Sequence, residues 1–555
     1  MTVDLCCINA RIVNVATGEI YPGAVSIHNG KIWSMEECDA HTILDLNGRF
    51  IAPGMIEGHV HLESSHVLPQ ELVDVFLQNG VTTVINDPHE IANAGGMDGI
   101  RFFLEHTENV PVHFFTMAPS CVPASPLETA GFTITTEDLQ ELQKHDRVIG
   151  LAEVMNFPAV VTGDETVVSK CRVFTNGVID GHAPGLRGQS LDTYIRSGIY
   201  SDHEVSDIDE AKEKMRKGMY LMIREGSAAR NGNLIRTITP GNDSRFMIVS
   251  DDNSPADMAH NHYLTERLRS FVRAHGIDPL RLLKGVTINP AQYFRLYKKG
   301  LLAPGYDADC VIFDSLDDFR VYCTISNGRI VYGTDLASAP STYSRHFSAH
   351  MPLPVREFTA DDFVIPAEKG RDVRMITAYD GQLVTGETQF RIFDDAEIRS
   401  DIVNDHLKIA VVERYSGKNG FFVGFVHGIG FTKGALASSY NHDAHNITVI
   451  GADDHDMARA VNYCVQQGGG IVYVIGEEVL RVPFPIFGIL SDLPLKKVAE
   501  SLSLITARLK SNGCILTDPL GTMSFLSLSV IPALKITDKG LVDATTMTIG
   551  DLYVR

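Results

Sequence analysis

Between residues 51 and 299, short apolar runs alternate with stretches whose apolar residues recur near a helical period. This alternation restricts the possible folds more than any other feature of the chain. The apolar runs are 51–60, 81–85, 110–115, 148–151, 177–179, 198–201, 219–223 and 245–250. Helix-like stretches between them include 69–78, 207–217 and 263–274. Eight strand-then-helix repeats are what a (β/α)8 barrel of the TIM type requires. A doubly wound open sheet is the alternative reading.

At 555 residues the chain is too long for a single core, and two or three domains are expected. Residues 1–50 alternate apolar and polar positions and carry a hairpin signal at Asn29-Gly30; the pattern returns in 300–345 with Asn327-Gly328. The two segments are expected to pair into a small split β-sandwich, which the chain leaves for the barrel (51–299) and then re-enters. Residues 346–555 form a further α+β domain, strand-rich over 372–450 and helical over 455–467 and 494–511. The fold class is therefore α/β: a TIM-like barrel with a split β-sandwich and a C-terminal α+β domain.

Charge excludes some partners. A net charge of −21 argues against a nucleic-acid backbone or an anionic membrane and fits an enzyme acting on a small molecule. No basic-then-apolar leader opens the chain, and no apolar run is long enough to span a bilayer. The nine cysteines are scattered without a CxxC pair, which reads as reduced thiols in a cytoplasm.

The chemistry lies at the strand ends. His59 and His61 stand two apart on the first strand, so their imidazoles project from one face and can grip one metal ion. Further candidates follow later strands: Asp87, His89 and Glu90, then Glu153, His182, His203, and Asp251-Asp252. In a barrel these positions share the C-terminal face. Four imidazoles and two carboxylates suffice for two divalent ions if one carboxylate bridges. Glu153, between the two histidine pairs in the chain, is the natural bridge. The expected set is His59, His61, Glu153 and Asp251 on one ion, and Glu153, His182 and His203 on the other. Such a pair of ions, about 3.5–4 Å apart, activates water. The ligands suit manganese, iron or zinc.

This order of ligands resembles the amidohydrolase superfamily. Longer stretches resemble the adenine deaminase family within it: Pro53-Gly-Met-Ile-Glu-Gly-His-Val-His-Leu-Glu-Ser-Ser65, Asp87-Pro-His-Glu-Ile-Ala-Asn93, Gly150-Leu-Ala-Glu-Val-Met-Asn-Phe-Pro158, Asp180-Gly-His-Ala-Pro-Gly185 and His442-Asp-Ala-His-Asn446. The resemblance covers nearly the whole chain. It implies hydrolysis of adenine to hypoxanthine and ammonia at a binuclear centre bridged by glutamate, with Mn2+ or Fe2+ favoured over Zn2+, in a homo-oligomer. Asn253, the segment 259–263 and Arg295 depart from the family pattern, all outside the ligand set.

On this reading Asp251 moves the water proton to the departing amine. Glu90, beside His89, is the first choice to protonate the ring, with Glu63 behind it. Glu225, Ser227 and Asp252 are candidates to read the base, and Arg224 and Arg230 to brace the loop. His442-Asp443 is read as a satisfied loop pair in preference to a lid over the barrel mouth. Rival readings are a deaminase of an N6-substituted adenine or another aminopurine, and a cyclic amidohydrolase, against which Glu153 in place of a bridging lysine speaks. A metal-binding scaffold without activity is a third; the complete ligand set argues against it. The zinc nucleobase deaminases carry P-C-x-x-C, which does not occur here.

Overall fold

The computed structural model describes residues 1–227, 230–333, 352–393 and 397–554. At its centre are eight strands in barrel order: Met55–His61, Val81–Asn86, His113–Ala118, Val148–Val154, Val178–Gly181, Ser201–Asp202, Tyr220–Arg224 and Phe246–Val249. Every pairing within this set is parallel. The first two strands are buried at every residue, which fits their near-continuous apolar runs, since a parallel sheet is covered on both faces. The expected barrel is present. Its helices begin where the chemistry asks: Pro69 opens Pro69–Gln78 at a position that needs no N–H, and the Asp207 carboxylate caps Ile208–Arg216.

The run read as one strand over 51–60 is two strands. Phe50–Pro53 belongs to the N-terminal sheet, where it pairs with Val3–Asn14 and Cys310–Ser315. The barrel strand starts only at Met55. Gly54 makes the seam, because a Cβ there would meet the Thr82 side chain at 2.2 Å. The sheet joins early and late segments in one eight-stranded set around a core that includes Ile12, Ile27, Ile51, Ile312 and Ile325. Both Asn-Gly pairs turn hairpins with positive φ at each residue, as the mirror-type turn demands. The expected domain boundary at 345 lies outside the described residues.

Hydrogen bonding divides the barrel into two arcs, and side chains join them. After Phe246–Val249 the chain turns at Asp251, whose φ is +57°, and Asp251–Asp252 pairs with the first strand. Beneath this junction the buried Glu57 carboxylate accepts the Ser250 N–H at 3.0 Å and the Tyr263 hydroxyl at 2.6 Å. Across the other gap, the Ser201 hydroxyl accepts the Gly181 N–H (3.2 Å) and donates to Asp180 (3.1 Å).

The C-terminal region is built on an eight-stranded sheet carrying the helices Asp454–Gln466 and Leu495–Ser511. It lies over the ligand face of the barrel. Ser491 N–H bonds His66 O, Asp538 accepts from the Thr129 N–H, and one apolar cluster runs from Leu62, Val67 and Leu72 to Tyr440, Phe484 and Ile486. No helix among the described residues is long and apolar enough to cross a membrane.

Two substitutions test these ties. Tyr263→Phe leaves Glu57 short of a donor in a dry setting and should cost about 1–3 kcal/mol in denaturant unfolding. Lys214 is buried and bonds Asp202 (2.6 Å), the Ala183 carbonyl (2.7 Å) and Glu210. Lys214→Ala strands two buried carboxylates and should cost about 3–5 kcal/mol in the same measurement.

Candidate active site

The strand ends bring the predicted ligands together. Glu153, at the end of the fourth strand, places Oε1 3.4 Å from His61 Nε2, and Oε2 2.6 Å from His182 Nδ1 and 3.2 Å from His203 Nε2. Asp251 Oδ1 stands 2.9 Å from His61 Nε2 and 3.7 Å from His59 Nε2. The His59 and His203 rings stack at 4.3 Å. Glu153 thus faces His61 through one oxygen and His182 and His203 through the other, while His59 faces Asp251. Its own backbone is pinned, since its N–H reaches Asp87 Oδ2 (3.3 Å) and its carbonyl accepts the Ser120 hydroxyl (2.5 Å). Asp87 also orients two histidines, accepting from His61 Nδ1 through its carbonyl (2.9 Å) and lying 3.3 Å from His89 Nδ1 through its carboxylate. A histidine ligand fixed through its other nitrogen is the usual support of a metal site.

The donor set fits divalent ions. His182 Nδ1 and His203 Nε2 lie 3.2 Å apart and both face the same Glu153 oxygen, a convergence of lone pairs that a cation satisfies. His59 Nε2 is buried without a hydrogen-bond partner. Burial and the neighbouring His203 pull the His59 pKa down, which leaves its lone pair available. Burial would raise Glu153, but the His203 and His182 imidazoles outweigh it and hold the carboxyl well below its usual range. For Asp251 burial acts the same way and is overcome chiefly by Arg224, whose Nη1 lies 2.5 Å from Oδ2. Arg224 in turn is clamped by Glu204 at 2.6 and 2.8 Å.

Other predicted residues fall differently. Glu225 turns away from the centre: its carboxylate accepts the Gly232 N–H at 2.8 Å, and its backbone pairs with Arg230. The Ser227 hydroxyl donates to Asp257 (2.6 Å). Neither lines the cavity directly above the ligands; Ser227 lines a larger one beside it, and Glu225 lines neither. Asp252 does line it and is held by the Ser64 hydroxyl. Arg224, read as a loop brace, is part of the centre itself. Glu63 is fully buried outside the cavity lining, with burial pushing its pKa up to about 7 and one oxygen on the Ile91 N–H.

Glu90 lines the cavity with His89, but residues of the C-terminal region hold its carboxylate. His445 Nε2 lies 2.7 Å from Oε2, and His442 Nδ1 closes on Oε1. These imidazoles outweigh burial and keep Glu90 well below the usual carboxylate range. His442-Asp443, read as a loop pair, therefore forms part of the roof, with Phe525, Leu528 and Ile531. Their membership shows only in three dimensions; the one hint in sequence is the density of polar residues in His442-Asp-Ala-His-Asn446.

The cavity directly above the ligands measures about 50 Å³. Beside it, between barrel and C-terminal region, lies a chamber of about 620 Å³ that shares Asp252, His442 and Phe525 with it. Of these two, the chamber is the one in the range of about 300–1,000 Å³ that small-molecule sites occupy.

Comparison with known proteins fits this geometry. Residues 50–331 match the amidohydrolase family, and residues 382–548 match the adenine deaminase C-terminal domain. The chain is 41% identical to an adenine deaminase of Desulfatibacillum aliphaticivorans, over 99% of its own length and 97% of the relative's. It is 38% identical to one of Kosmotoga olearia (99% and 96% covered) and 39% identical to one of Oleidesulfovibrio alaskensis (99% and 96%). A barrel of the amidohydrolase type, with buried histidines and carboxylates clustered at its strand ends and the matching C-terminal domain over its mouth, makes this chain a member of the adenine deaminase family.

Proposed function

We propose that the protein hydrolyses adenine to hypoxanthine and ammonia with two divalent ions, Mn2+ or Fe2+ in preference to Zn2+. The observation that carries this reading is Glu153, whose Oε1 faces His61 on the first strand while Oε2 faces His182 and His203. His59, His61, Glu153 and Asp251 would hold one ion, and Glu153, His182 and His203 the other. Bound there, the ions would supply a strongly nucleophilic water near neutral pH.

The chain's own residues then manage protons and access. Arg224 occupies Asp251 Oδ2, so Oδ1, on the histidine side, is the oxygen that takes the water's proton and passes it to the departing amine. The buried lining keeps bulk water from the reacting carbon, which strengthens each charge interaction inside. The purine reaches the centre from the larger chamber, past His442 and Phe525.

Protein purified with added Mn2+ should release ammonia from adenine and retain two metal ions per chain. Glu153→Gln should lower turnover by at least three orders of magnitude and reduce the bound metal. Absence of turnover with both metals present would point to another aminopurine, and absence of metal would overturn the ligand assignment.

A further inference from the structure

We propose that the proton required by the purine ring comes from His442, a residue of the C-terminal region, with Glu90 and His445 as positioning residues. The inference rests on adenine as substrate and adds the origin of the proton.

Attack at the carbon bearing the amine needs a proton on the adjacent ring nitrogen. Of the carboxyl groups first considered, Glu63 lies outside the cavity, and Glu90 is ionised with both oxygens engaged. The tautomer of His445 is fixed: its Nδ1 accepts the Asn441 N–H at 3.2 Å, so Nε2 carries the hydrogen, 2.7 Å from Glu90 Oε2. That leaves Oε1 to face His442 Nδ1. A buried carboxylate against an imidazole favours the imidazolium, which then has a second N–H, on Nε2, at the far edge of the ring.

His442 is also in the right place. It lines both the cavity over the ligands and the larger chamber. Its ring stacks on Phe525 at 4.2 Å with an 11° interplanar angle, which restrains rotation about the side chain. Five other titratable groups surround it. Asp443 Oδ1 is 3.9 Å from Nδ1, Asp252 adds negative charge, and His66, His445 and Tyr440 complete the ring of neighbours. Burial lowers the His442 pKa, but Glu90 outweighs it and raises the group to about 9.

The step balances. The Nε2–H bond of His442 breaks as an N–H bond forms on the ring nitrogen, and the electron pair released from the ring carbon–nitrogen double bond rests on that nitrogen as water's oxygen bonds to carbon. His442 is left neutral and regains a proton from water in the chamber.

The test is the pH–rate profile for adenine of the metal-loaded full-length protein and of His442→Gln. Gln keeps an N–H toward Glu90 but cannot supply a proton. The wild type should lose activity above about pH 9, and His442→Gln should turn over about 10²–10⁴-fold more slowly, without that alkaline limb and with unchanged metal content. His445→Gln, which preserves a donor to Glu90, should stay within about tenfold of wild type. Glu90→Gln removes the counter-ion and should move the alkaline limb to lower pH, a readout that stands even if His442→Gln fails to fold. Wild-type turnover tests the substrate, and the variant-to-wild-type ratio tests His442. A ratio near one, or an alkaline limb that Glu90→Gln leaves in place, would overturn the proposal.

Discussion

The structure turns on one buried carboxylate. Glu153 sits where the fourth strand ends, almost without solvent, and faces three imidazole nitrogens within 3.4 Å. A lone carboxylate in such a place would take up a proton and lose its use. The surrounding histidines prevent that, and a divalent ion on each side would do so more strongly. The Ser120 and Asp87 bonds hold its backbone, and three imidazoles converge on its carboxylate. Asp251 repeats the arrangement, with Arg224 as its resident cation and Glu204 holding that cation in turn.

This concentration of charge bears on how the barrel closes. Its ladder lapses between the fifth and sixth strands, where His182 and His203 leave the sheet. Regular pairing gives way there to side chains. Asp180 accepts from Ser201 and Tyr293 (2.8 Å), and Lys214 ties the residues next to both histidines, Ala183 and Asp202. Gly181 permits the approach, since a Cβ would lie 2.2 Å from the Ser201 carbonyl oxygen. At the opposite gap, Asp251 takes a left-handed backbone that most residues avoid, at a cost of order 1–3 kcal/mol. In both places regular structure is given up beside residues proposed as metal ligands, His182, His203 and Asp251.

What could be read beforehand divides along physical lines. Strands buried on both faces and helices with a single apolar stripe leave local patterns, so Pro69–Gln78 and the eight-strand order were legible. His59 and His61 were legible because a strand's period of two puts them on one face. The same alternation explains the misplacement of Glu225. It follows Arg224 at the end of the seventh strand, so when Arg224 points inward Glu225 must point away. The His442 contact with Glu90 joins residues 352 positions apart in sequence, a pairing set by domain packing that no local pattern encodes.

That packing gives the C-terminal region a defined part in the site. Glu90 begins a barrel helix, His89–His106, and is wholly buried, so its charge needs partners that exclude water while replacing it. The barrel provides His89, with Nε2 at 3.6 Å from Oε1, too far for a hydrogen bond. His442 and His445 provide the close contacts, and Tyr440 in the same loop reaches Ser64 beside the first strand's ligands (3.3 Å). A barrel without this loop would leave Glu90 either hydrated or protonated, and the cavity open to bulk water. The C-terminal region is therefore a wall of the cavity over the proposed metal ligands, and the family match extends to it, over residues 382–548.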